Sequence, residues 1–314
     1  MDIHLIQSPY FLGRTEGMGL APSFLCKAGI IGHIEKFEHS VQNTVVQMTS
    51  PFENKLDAMA DIYSKVAMSV KSSIEYNQFP IILGGPCSVA LGVLQGLNTP
   101  RTGVIWFDAH GDFNTPQITI SNFFDGMPLA IATGRCYKKF YAQIGNRGFV
   151  LDENIIHIGA RALDQAEELA FQNSKIAMVN NKHIKKHDVI TALEPAIKKL
   201  SKRLSEVYIH FDIDVLDPAI APGVNFRSPN GLSLNETADA IEVIAAHLKI
   251  KAFTLAAYNP KFDENKKTIQ SVFYILTNVL NQVSKQRLML YNITLHKKHR
   301  QLHAATGSYK PRPF

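Results

Sequence analysis

The sequence predicts an α/β protein built on a mostly parallel sheet, and three observations carry that prediction. Short apolar runs alternate along the chain with longer amphipathic stretches, the order expected of strand–helix–strand crossover units. The runs are apolar at successive positions, as in Thr102-Gly103-Val104-Ile105-Trp106-Phe107, and such strands belong to a sheet covered by helices on both faces. The 314 residues are 46% hydrophobic and 19% charged, a globular composition able to bury about three quarters of its unfolded surface.

The strand-like runs are 3–7, 79–83, 102–107, 154–159, 176–179, 206–211 and 251–256. Amphipathic stretches at 55–76, 187–204, 234–248 and 267–286 have the helical period and supply the covering layers. No repeat, low-complexity block or linker interrupts this alternation, so residues 1–295 read as one domain, followed by a basic tail at 296–314. The tail holds five Lys/Arg and no acid; the body is left with 28 basic against 27 acidic residues, so the net charge of +6 is mostly a tail property. A solvated extension, with no specific nucleic-acid partner, is the expected reading. No stretch approaches the ~20 apolar residues of a membrane span, and Met1-Asp2-Ile3-His4 lacks a signal peptide's basic flank, so the expected address is cytoplasmic. Cys26, Cys87 and Cys136 form no disulfide framework.

In parallel sheets the chemistry sits beyond the carboxyl ends of the strands, and three of these ends are unusual. The run 79–83 leads into Gly84-Gly85-Pro86-Cys87-Ser88, the run 102–107 into Asp108-Ala109-His110-Gly111-Asp112, and the run 206–211 into Asp212-Ile213-Asp214-Val215-Leu216-Asp217-Pro218. If extended geometry persists, Asp108, His110 and Asp112 point one way, as do Asp212 and Asp214. Four converging carboxylates repel one another unless cations sit between them, and an oxygen-rich set with one imidazole suits Mn²⁺ or Mg²⁺.

These motifs resemble those of the ureohydrolase (arginase/agmatinase) superfamily: Gly-Gly-Pro-Cys-Ser for the family's Gly-Gly-Asp-His-Ser, then Asp-Ala-His-Gly-Asp, then Asp-Ile-Asp-Val-Leu-Asp-Pro. Gly159-Ala160-Arg161 and Asn259-Pro260 support it. The resemblance implies a three-layer α/β/α sandwich around an eight-stranded sheet, two Mn²⁺ ions per chain, and hydrolysis of a guanidino-type C–N bond in a small-molecule substrate. It places Asp108 and Asp212 between the two ions, Asp112 and Cys87 at the first, and His110 and Asp214 at the second. It assigns Asn114, Ser121 and Asp164 to the amino-acid end of the substrate. The family forms homo-oligomers, and the resemblance leaves that open here.

Five departures from the family pattern bear on function. Cys87 replaces a His ligand, which adds a negative charge and a softer donor. Asp125 stands at the family's proton-transferring His, where a carboxyl can act catalytically only if its pKa is raised or water relays the proton. Ala257 replaces the Glu that binds guanidinium. Val224-Asn225-Phe226-Arg227-Ser228-Pro229 replaces a Thr-Gly-Thr-Pro loop, and Phe123 replaces an Asn. The set resembles the Nω-hydroxy-L-arginine hydrolase branch, which yields hydroxyurea and ornithine. Other ureohydrolase substrates and a metal-binding protein without turnover are the competing readings.

Overall fold

A computed structural model describes residues 1–97 and 101–306, with side chains described as far as residue 289. Eight strands form one sheet: β1 (Asp2–Ser8), β2 (Ser40–Val45), β3 (Phe79–Gly84), β4 (Thr102–Phe107), β5 (Ile155–Ile158), β6 (Ala177–Val179), β7 (Glu206–Asp212) and β8 (Lys249–Ala256). Their order is β2-β1-β3-β8-β7-β4-β5-β6, and every pair is parallel. All carboxyl ends therefore open on one edge.

The helices are α1 (Ala21–Lys27), α2 (Ile30–Glu35), α3 (Lys55–Glu75), α4 (Ala90–Gly96), α5 (Pro128–Ala132), α6 (Lys138–Ile144), α7 (Gln165–Gln172), α8 (Asn181–His187), α9 (Val189–Ser201), α10 (Leu234–His247) and α11 (Lys267–Thr306). Strand alternation divides the core between them. Ile81 and Leu83, Ile105 and Phe107, and Ile209 and Phe211 pack with α2, α9, α10 and α11 on one face. Ile82, Val104, Trp106 and Tyr208 pack with α3, α4, α5 and α6 on the other. The expected three-layer sandwich with an eight-stranded sheet is therefore the observed architecture.

Local chemistry starts these helices where they start. The Asn54 side chain accepts from Leu56 N ahead of α3, and Ser233 with Glu236 forms a reciprocal capping box ahead of α10. Backbone α11 stays helical through residues 296–306, the first part of the expected tail, while residues 307–314 lie outside the described residues.

Four adjacent strands, β3, β8, β7 and β4, position the site. Across them Thr254, His210 and Trp106 share one register level, with His157 of β5 beyond. Asp108 and Asp212 stand two positions further toward the carboxyl edge.

Candidate metal centre and active site

The turn after β3 brings Cys87 in. Gly85 has no room for a side chain: a Cβ there would lie 2.5 Å from the Tyr10 carbonyl oxygen, so the backbone turns tightly against the segment after β1. The Gly85 carbonyl accepts from Ala257 N at 2.7 Å, which ties the end of β8 to the same turn.

Asp108 follows β4. Its Oδ1 accepts from His110 N at 2.8 Å and its Oδ2 from Trp106 Nε1 at 3.2 Å. β7 ends at Asp212, whose Oδ1 accepts from Asp214 N at 2.7 Å and opens the single 3₁₀ turn Ile213–Val215. Asp214 Oδ1 accepts from Ala109 N at 3.2 Å, linking the two strand ends. Extended geometry does not persist past either strand. Asp112 has a φ of 53°, in the left-handed region, and carboxylate-capped turns replace alternation as the cause of convergence.

Two groups of ligand atoms result, each with all members within 4.8 Å of one another: Cys87, Asp108 and Asp212, and Asp108, His110 and Asp214. Asp108 belongs to both. The Cys87 thiol lies 2.8 Å from Asp212 Oδ2 and 3.9 Å from Asp108 Oδ2. His110 Nδ1 lies 3.0 Å from Asp214 Oδ2 and 3.4 Å from Asp108 Oδ1. Asp112 joins neither group, but it lines the same cavity, and its buried Oδ2 has no hydrogen-bond partner.

The electrostatics match a site shaped for cations. Burial, reinforced by neighbouring carboxylates, pushes Asp108, Asp112 and Asp212 above the usual carboxylate range. Burial and then Asp212 push the Cys87 thiol well up. Burial opposes the charged form of His110, yet Asp214 and Asp108 outweigh it and raise the imidazole to about 11. Burial would also raise Asp214, and His110 overrides it, leaving this carboxyl below its usual range. Hard carboxylate oxygens, one imidazole, one thiol and an orphaned buried oxygen fit divalent cations.

Above this floor lies a cavity of about 220 Å³. Asn114, Ser121, Asp164 and Asp125, singled out in the sequence, all line it, as do Phe123, Phe226 and Ala257. Asn114 is buried and its Oδ1 has no partner. The Phe226 ring stands edge-on to His110 at 6.1 Å and to Phe123 at 5.6 Å. Asp125 faces the cavity and the Cys87 turn together: its Oδ2 accepts from Cys87 N at 3.1 Å and its Oδ1 from Ser88 N at 2.8 Å. Burial raises its carboxyl to about 6, with the Ser88 and Cys87 donors opposing.

Sequence reasoning missed Glu167. It is buried in the cavity wall, accepts from Phe113 N at 2.9 Å, and is raised to about 7 by burial. Asp164-Gln165-Ala166-Glu167 has capping-box spacing, which reads as a solvated helix start. The available signal was Gly111, whose lack of a side chain leaves room for the Glu167 carboxylate.

The arginase family model matches residues 2–281. The chain belongs to the arginase family. It is 31% identical over 280 residues to the arginase of Bacillus caldovelox, covering 85% of this chain and 93% of that one. It is 31% identical over 283 residues to the arginase of Staphylococcus aureus strain MSSA476, with the same two coverages. The crystal structure of arginase from Bacillus cereus superposes with a TM-score of 0.82 at 30% identity, covering 89% of this chain and 98% of that one. Arginase-family proteins are binuclear metal enzymes that hydrolyse C–N bonds in linear amidines. No described helix is long and apolar enough to cross a membrane.

Proposed function

We propose that the protein is a Mn²⁺-dependent hydrolase of a guanidino C–N bond in an amino-acid substrate. One observation carries the reading: a thiol, an imidazole and four carboxylates gather beneath a cavity whose wall holds Asn114, Ser121 and Asp164. In this reading Asp108 and Asp212 would serve both cations, with Cys87 and Asp112 completing one ligand set and His110 and Asp214 the other. When bound, the two cations supply a nucleophile by acidifying water near neutral pH.

The protein's own residues do the rest. Trp106 and the His110 amide hold both oxygens of Asp108 in place. Asn114 offers an unpaired acceptor, and Ser121 and Asp164 add a hydroxyl and an acid at the amino-acid end. Phe123 and Phe226 narrow the apolar side of the cavity and displace water there. In the net reaction water oxygen bonds to the guanidino carbon, the C–N bond to the side-chain nitrogen breaks, and that nitrogen leaves with a proton.

The names of the curated relatives favour L-arginine as substrate. A second reading, Nω-hydroxy-L-arginine giving hydroxyurea and ornithine, is favoured by Ala257, which puts a methyl group where the family holds a guanidinium-binding carboxylate. An N-hydroxyguanidine is less basic and needs neither that partner nor a strong proton donor. The deciding experiment loads chelator-treated protein with Mn²⁺ and compares kcat/KM for arginine, agmatine, guanidinobutyrate, formiminoglutamate and hydroxyarginine. A tenfold preference for hydroxyarginine, about 1.4 kcal/mol at the transition state, establishes the second reading. Arginine at parity or better establishes the first. Turnover of none refutes both.

A further inference from the structure

The turn carrying Cys87 needs an acceptor that its own sequence does not provide. Cys87–Val89 is a 3₁₀ turn that runs straight into α4, so the amides of Cys87 and Ser88 begin a continuous helical segment and find no carbonyl within it. The residue at the capping position is Pro86, in extended conformation, with no side-chain oxygen. The family pattern has Asp at that position. Asp125, from the loop beyond β4, fills the gap: Oδ2 takes Cys87 N at 3.1 Å and Oδ1 takes Ser88 N at 2.8 Å. A two-oxygen clamp of this kind fixes both the height and the rotation of the first turn, and with it the direction of the Cys87 Cα–Cβ bond. Tyr63 Oη, 2.6 Å from Ser88 Oγ, anchors the far side of the same turn.

We propose that Asp125 is a positioning residue that clamps the Cys87 turn, and that its carboxylate substitutes across space for the acceptor missing at Pro86. The two sequence departures, Pro86-Cys87 and Asp125, are then one linked change. This rests on the metal-centre reading for its effect on activity, but the clamp itself does not depend on a metal.

Two measurements test it. In metal-free protein, hydrogen exchange of the Cys87 and Ser88 amides reports the clamp directly. Asp125→Asn, which turns one acceptor into a donor facing an N–H, should speed that exchange at least tenfold, since charge-assisted bonds are lost. Adding Pro86→Asp should slow the Ser88 amide again, because an aspartate at a helix N-cap accepts from the second or third amide and Ser88 is the second. Unchanged exchange in Asp125→Asn, or no recovery in the double variant, overturns the clamp. In Mn²⁺-loaded protein, Asp125→Asn should lower bound metal from about two to about one per chain, with Pro86→Asp restoring it. If Asp125→Asn abolishes turnover while metal content and amide exchange stay as in the parent, the residue is a proton carrier and the proposal fails. A parent protein that binds no metal but shows the exchange pattern keeps the clamp and refutes the metal-centre reading alone. Should Asp125→Asn not fold, Asp125→Ser in the Pro86→Asp background carries the same exchange comparison.

Discussion

Asp108 contributes an oxygen to both groups of metal-type ligands, whereas Asp112 reaches the cavity with one unpaired oxygen. Their substitutions should therefore differ. Asp108→Ala and Asp212→Ala should each reduce bound Mn²⁺ to near zero by elemental analysis, and Asp112→Ala should leave about one ion per chain. Near-complete occupancy in the Asp108 and Asp212 variants would rule out the proposed bridges. Cys87→Ser, which swaps a thiol for a neutral hydroxyl, should weaken one ion only, read as a second, looser phase in a metal titration. The residues were legible in the sequence because unusual polar clusters followed apolar runs. Strand alternation, the condition on which convergence was expected, does not reach these residues: β4 stops at Phe107, β7 stops at Asp212, and carboxylate-capped turns aim the side chains. Turn chemistry of that kind has no period to read. Glu167 stayed hidden for a related reason, its spacing being that of an ordinary helix start.

At the scale of elements, seven of the eight strands were visible as apolar runs, and β2 was not. Its sequence, Ser40-Val41-Gln42-Asn43-Thr44-Val45, is polar and half-exposed because it sits at the sheet edge with a single neighbour. The short helices α4 and α5 escaped because they are buried all round, so no amphipathic pattern marks them. The loop 224–230 illustrates a tertiary device that no local pattern shows. Arg161, just past β5, donates to the carbonyls of Asp214 at 2.8 Å, Val215 at 3.1 Å and Leu216 at 3.2 Å. The same guanidinium reaches Ser228 O at 2.8 Å and Pro229 O at 3.1 Å. One side chain thus pins the Phe226 loop to the end of β7. Lysine has three donors and no planar fork, so Arg161→Lys should free the loop. Limited proteolysis should then cut within 224–230 several-fold faster, with the rest of the domain protected; equal cutting rates would show that the loop holds itself.

For the molecule as a whole, the buried titratable groups set opposing pH limits on stability. His157 and His210 are fully buried and held neutral, each lowered to about 3 by burial. Their contribution is complete above the unfolded value of about 6.5 and is lost as pH falls toward 3, at about 2.7 kcal/mol per pH unit for the pair. Asp108, Asp112 and Asp212 are raised in the metal-free fold, so their contribution is present below about 4 and lost as pH rises through the raised values. Melting with and without Mn²⁺ should accordingly show a cation-induced rise in Tm that is larger at pH 8 than at pH 5; an equal rise at both would mean that these carboxylates do not face the ion. The strand order has a consequence for how the chain is made. β7 and β8, the last strands to be synthesised, lie between β3 and β4 at the centre of the sheet. An emerging chain that has completed β6 holds two half-sheets whose inner edges, β3 and β4, have nothing to pair with. Those edges are apolar and unpaired until β7 and β8 arrive, which exposes the unfinished chain to chaperones and to self-association. Asp212 and Asp214 arrive only when β7 slots between the halves, so the ion-binding pocket can close only after the sheet does, and metal uptake should mark the last step of folding rather than its nucleus.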